Sequence, residues 1–209
     1  MNRWLAVCTV ALAGVLAING WGSDTAATPA TTAAMPPTPD PRALLDYKFT
    51  NELGAPVCLN DFRGQVIAYT FIFTRCPAPN YCPRLSKNFE EAAKRLAAMP
   101  NAPANWHLIS VSFDPDFDTP AVLRACARRY HYDPARWTFL TGPKAQIGEL
   151  ARFSGVNYRP EEGLFTHNFR TLVVDAEGRL RVSYPVGGDL SDALASEIVK
   201  AAGPQAPQP

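Results

Sequence analysis

An α/β domain with a mainly parallel central sheet is the fold class this sequence predicts, on three observations. Strand-like and helix-like segments alternate from residue 42 to about residue 202. Residues 66–73 (VIAYTFIF) are a continuous apolar, β-branched and aromatic run, the pattern of a strand buried on both faces. Directly after that run, a loop with two cysteines leads into a segment of helical periodicity.

The elements follow in order. Residues 57–59 and a turn at 61–64 predict a short N-terminal hairpin ahead of strand 66–73. Pro83 suits the first turn of a helix, and Leu85, Phe89, Ala92, Ala93 and Leu96 recur at three- and four-residue spacing, so a helix should end near Met99-Pro100. Residues 106–113 (WHLISVSF) give the next strand, and Asp118-Thr119-Pro120 caps a helix reaching Tyr130. A short strand at 137–140, a helix at 144–153, a hairpin of 170–174 with 180–184, and a last helix from Ser191 complete the pattern. A buried strand, a cysteine loop feeding a helix, a closing hairpin and a final helix make a thioredoxin-like layout, with helices flanking the sheet.

The flanks read differently. Residues 1–22 predict a signal peptide or membrane anchor, because Leu5 to Ile18 carry no charge and span 14 residues, close to a signal core of ~7–15 and short of the ~20 of a spanning helix. Cys8 in that run is apolar filler. Residues 23–41 are rich in Ala, Thr and Pro and predict an extended linker, 42–203 the folded domain, and 204–209 a disordered tail. Export to the periplasm or the outer face of the cytoplasmic membrane follows. In an oxidising compartment a nearby thiol pair closes to a disulfide unless a reductant or a metal keeps it open. With 20 basic and 19 acidic residues the net charge is +1, which offers no field to gather nucleic acid.

Cys76 and Cys82 carry the chemistry. They bracket the passage from strand end to helix start, where unpaired N–H groups and the helix dipole favour thiolate, both nucleophile and metal ligand. A plain structural disulfide is the alternative. Five residues separate the two cysteines, more than in a thioredoxin-like redox motif or between zinc-ribbon ligands. Pro77 and Pro79 stiffen the loop between them.

Three blocks in order, FIFTRCPAPNYCPRLS, VSFDPDFDTPAVLRACARRY and THNFRTLVVDAEGRL, make residues 44–202 resemble the Sco/SenC copper proteins, which are exported, thioredoxin-like and needed to assemble the copper centre of cytochrome c oxidase. The resemblance implies copper, as Cu(I) or Cu(II), held by Cys76, Cys82 and His167. The family's usual loop has three residues between its cysteines, so the resemblance carries over the fold but not the copper geometry or affinity. Two thiolates and an imidazole suit copper and also zinc; export and the resemblance favour copper.

The resemblance further implies a metallochaperone delivering copper to a cytochrome c oxidase subunit or another copper enzyme, anchored to the membrane if its N-terminal segment is not cleaved. The alternative is a thiol–disulfide reductase that uses Cys76 and Cys82 as a redox pair, recharged by a thiol reductant protein, and keeps a partner's copper-ligand cysteines reduced. A peroxidase is disfavoured, since Thr74 sits two residues before Cys76 where that class has three. His107 and His131 read as structural, Cys126 as a buried small residue on the helix face of Val122, Leu123 and Tyr130, and Cys58 as core packing. Asp114 reads equally as an orienting group for the site or as a turn residue.

Overall fold

The computed structural model describes residues 46–203 apart from 101, 186 and 187. The expected signal or anchor, linker and C-terminal tail lie outside the described residues. Among the described residues nine strands are formed: β1 (Lys48–Asn51), β2 (Pro56–Cys58), β3 (Val66–Ile72), β4 (Trp106–Ser112), β5 (Trp137–Thr141), β6 (Tyr158–Glu161), β7 (Leu164–His167), β8 (Thr171–Val174) and β9 (Leu180–Tyr184). The helices are α1 (Cys82–Ala98), α2 (Pro120–Arg128), α3 (Lys144–Phe153) and α4 (Ser191–Ala202), with a 3-10 turn at Leu59–Phe62. Among the described residues no helix is long and apolar enough to cross a membrane.

Seven strands form one sheet in the order β2-β1-β5-β4-β3-β8-β9. The run read as a doubly buried strand is its centre: β3 pairs in parallel with β4, Val66 opposite Trp106 through Ile72 opposite Ser112, and antiparallel with β8. Parallel pairing is confined to β3, β4 and β5, and the outer strands are antiparallel. The sheet is therefore mixed. Connection length explains this, since α1 and α2 supply the long crossovers that parallel neighbours require, whereas β1–β2 and β8–β9 are joined by short turns.

The N-terminal hairpin exists, but upstream of the expected turn. β1 pairs with β2, and the Asn51 side chain closes the turn by accepting the N–H groups of Leu53 (3.1 Å) and Ala55 (2.8 Å). Gly54 supplies the positive φ of 83° that this turn requires. The 61–64 segment instead ends the 3-10 turn, where Asp61 accepts the Cys58 N–H at 2.8 Å.

Helices cover both faces of the sheet. The Phe89 ring of α1 meets the wholly buried Trp137 of β5, with centroids 5.6 Å apart. On the other face Leu150 and Phe153 of α3 border a cavity together with Ile67, Tyr69 and Ile109. The apolar stripe predicted on α1 is the one buried, since Leu85, Phe89, Ala92 and Leu96 are at most 1% exposed. Asn88 ties α1 to the approach of α4, donating to Gly188 O (2.7 Å) and accepting from Leu190 N (3.2 Å). These contacts hold α1, whose first residue ends the cysteine loop, against the sheet and the approach of α4.

Candidate metal and thiol centre

The loop departs from β3 on a tethered stem. Phe113 N–H donates to Ile72 O (3.1 Å), extending the ladder, and the Thr74 N–H donates to the Asp118 carboxylate at 3.0 Å. The Thr74 and Ser112 hydroxyls donate to that carboxylate too. Arg75 is gripped next: Asp114 accepts from its Nε (3.1 Å) and Nη2 (2.7 Å), and the guanidinium lies 4.4 Å over the Phe117 ring. Asp114 fills both roles left open for it: its carboxylate holds the stem through Arg75, and its carbonyl accepts the Phe117 and Asp118 N–H groups in a turn. Asp118 was legible only as a prelude to the helix cap, a role that Thr119 fills by accepting from Val122 N. Burial pushes the Asp118 carboxyl upward against the pull of its three donors.

Cys76 then turns back, its N–H donating to Phe73 O (3.3 Å) and its sulfur 3.8 Å from Ala78 O. Cys82 is the first residue of α1, with Pro83 behind it, and Leu85 N–H opens the helix by donating to Tyr81 O at 3.0 Å. Both thiols are free, as are those of Cys58 and Cys126. Cys82 is only 4% exposed, whereas Cys76 is half-buried.

The two thiols are unequal. A hydrogen bond from the Cys82 thiol lowers Cys76 to about 6 despite partial burial, with help from the Cys82 N–H at the helix start. That same hydrogen bond, together with burial, pushes Cys82 upward. So the loop cysteine, rather than the one on the helix, holds the accessible thiolate: the helix N-terminus acts on its neighbour's sulfur.

His167 ends β7, which pairs with β6 in a two-stranded ribbon outside the main sheet. Sequence alone missed this ribbon. Its signal was Gly163 at the turn, between short segments broken by Pro160. His167 Nδ1 lies 3.0 Å from Asn168 O. A carbonyl only accepts, so the proton sits on Nδ1 and Nε2 keeps its lone pair. That Nε2 lies 3.7 Å from Cys82 Sγ. The rings of Phe113 (4.8 Å), Phe169 (4.9 Å) and Phe73 (6.0 Å) enclose the imidazole, and burial lowers its pKa, keeping it neutral. Phe169 in turn meets Tyr81, beside Cys82 in sequence, with the rings tilted at 50° and centroids 4.8 Å apart.

The structure thus brings the predicted residues together: Cys76 interacts with Cys82, and Cys82 with His167. Among the described residues no three His, Cys, Asp or Glu side chains converge as a finished metal shell. The donor set itself, two sulfurs and an unprotonated imidazole nitrogen, fits a soft ion such as copper. His107 and His131 stand elsewhere. His107 is buried beside the Thr138 hydroxyl (2.8 Å), and burial lowers it to about 4. Exposed His131 pairs with Glu90 at 2.9 Å. Cys126 is buried on α2, as expected, and Cys58 is half-buried at the end of β2.

Comparison with known proteins agrees on one family. The SCO1/SenC family model matches residues 36–203. The chain is 29% identical over 164 residues to the SCO1 protein homolog of Bacillus subtilis, a match spanning 74% of this chain and 82% of that one. It superposes with a TM-score of 0.65 and 29% identity on BsSco, described with a disulfide switch as a member of the Sco family of cytochrome c oxidase assembly proteins; 76% of this chain and 92% of that one are covered. Arabidopsis thaliana ScoI, solved with copper bound, gives a TM-score of 0.64 at 22% identity, over 74% of this chain and 94% of that one, and supports the fold.

Proposed function

This chain belongs to the SCO1/SenC family, and from that membership we propose that it is an exported metallochaperone that takes up copper through Cys76, Cys82 and His167 and delivers it to a copper-bearing cytochrome c oxidase subunit. The observation that supports this reading best is the 3.7 Å approach of the unprotonated His167 Nε2 to Cys82 Sγ, the same thiol that lowers the pKa of Cys76. Copper, as cargo, would supply an acceptor for soft sulfur and imidazole donors. The residues divide the work. Cys76 presents a thiolate at neutral pH, Cys82 must give up its proton, and His167 needs to lose none because its proton is held at Nδ1 by Asn168 O. The phenylalanine rings limit water around the imidazole, which favours the exchange of protein ligands over hydration.

Replacing His167 by Ala should lower Cu(I) affinity at least about tenfold, ~1.4 kcal/mol, in competition with a Cu(I) chelator, with the circular dichroism unchanged. Equal affinity of the variant and the parent overturns the reading. Export rests on the charge-free run of residues 5–18, and the reading needs the domain outside the cytoplasm.

The lowered Cys76 thiol favours a second reading, a thiol–disulfide reductase that keeps a partner's copper-ligand cysteines reduced. A half-exposed thiolate backed by a buried partner thiol is the arrangement of an attacking and a resolving cysteine. It does not need His167. A chain that reduces a disulfide-bonded oxidase-subunit peptide equally well with His167 and with Ala in its place, and holds no copper, would be a reductase alone.

A further inference from the structure

Asp118 is fully buried at the N-terminal approach to α2, yet two of its partners lie on the stem that carries Cys76. Its carboxylate accepts the Thr74 N–H (3.0 Å) and the Thr74 hydroxyl, and it also accepts the Ser112 hydroxyl at the end of β4. Ser112 Oγ in turn accepts the Asp114 N–H (3.0 Å), and the Asp118 N–H donates to Asp114 O (2.8 Å). Through Asp114 the same short turn holds Arg75. Both residues that precede Cys76 are therefore bound to one rigid turn. Past Cys76 the loop closes on itself, Tyr81 N–H to Ala78 O at 3.1 Å.

We infer that Asp118 is a positioning residue for the thiol pair: by gripping Thr74 at two atoms it holds Cys76 at the separation from Cys82 at which their disulfide forms and opens, and so sets the redox equilibrium of the pair. The inference rests on the proposed function only in taking Cys76 and Cys82 as the working thiols. Cys82 is fixed by α1 and needs no such help, whereas five residues of loop separate Cys76 from it. Across such an arch the spacing of the sulfurs is governed less by the bridge than by the stem. An intramolecular disulfide is favoured by the effective concentration of one thiol at the other, and a stem released from its anchor lowers that concentration.

The test follows the exchange with glutathione in the full-length chain. The Cys76–Cys82 bond forms, the glutathione disulfide bond breaks, two electrons pass to glutathione, and the two thiol protons end on two glutathione molecules. After acid quenching and alkylation, the tryptic peptide 76–84, which holds both cysteines and no other, reports the oxidised fraction. Thr74→Val removes the hydroxyl donor at nearly constant shape and should lower the equilibrium constant for disulfide formation at least about fivefold. Thr74→Ser restores the donor and should return it to within about twofold of the parent. Asp118→Asn should follow Thr74→Val; if it does not fold, the Thr74 pair decides alone. A Thr74→Val constant equal to the parent's, whatever the thermal midpoint, overturns the inference, as does a Thr74→Ser constant as low as that of Thr74→Val. Because no copper enters the experiment, a chain that binds none refutes the proposed function and leaves this result standing.

Discussion

At the scale of single residues, the asymmetry between the two thiols is the property with the most direct readout. Cys76 should react with iodoacetamide with a midpoint near pH 6, far below the ~8.5 of a free thiol, while Cys82 stays slow across the neutral range. Replacing Cys82 by Ala removes the donor that lowers Cys76 and should move the midpoint upward; mass-spectrometric alkylation rates against pH measure both. His107 has a linked effect of the same kind. Burial lowers it to about 4 from an unfolded value near 6.5. Between those values the unfolded chain binds the extra proton and the folded one does not. The stabilisation from keeping this ring neutral is thus complete above pH 6.5 and lost as pH falls toward 4, by up to about 3 kcal/mol. Urea unfolding at a series of pH values should show that slope, flattened in His107→Gln.

At the scale of elements, what sequence revealed and what it hid have separate physical causes. β3 and α1 were legible because burial writes itself into composition: a strand covered on both faces must be apolar throughout, and a helix on a sheet must carry an apolar stripe. The β6–β7 ribbon left no such trace. Its residues 159–163 are exposed, so neither alternation nor an apolar run was required of them, and His167 fell ahead of the strand expected at 170–174. For Asp118 the sequence shows only the helix start it forms with Thr119 and Pro120, because a local motif cannot show a tether reaching back to Thr74. Two substitutions separate these elements. Phe89→Ala on α1 should cost about 3–5 kcal/mol of unfolding free energy. Gly163, at φ 78°, should lose only about 1 kcal/mol on replacement by Ala, yet copper affinity should fall, because the turn sets the register that brings His167 opposite Tyr158. Chelator competition and urea titration on the same variants distinguish the two effects.

At the scale of the whole molecule, the three donors come from three separately anchored places: a stem held by the turn before α2, the first residue of α1, and the end of a ribbon. The first two belong to the seven-stranded sheet and its covering helices, and the third does not. The ribbon shares no ladder with that sheet, so its amides are not protected by the cooperative unit that protects β3 and β4. Amide hydrogen exchange should therefore show residues 158–167 opening at a free energy well below that of global unfolding, while 66–72 exchange only by unfolding the domain. His167 is then the donor that can leave with the least disturbance to the rest. A partner able to draw off that one ribbon would disarm the centre from its edge, leaving the protein folded and its sulfurs in place for the next round.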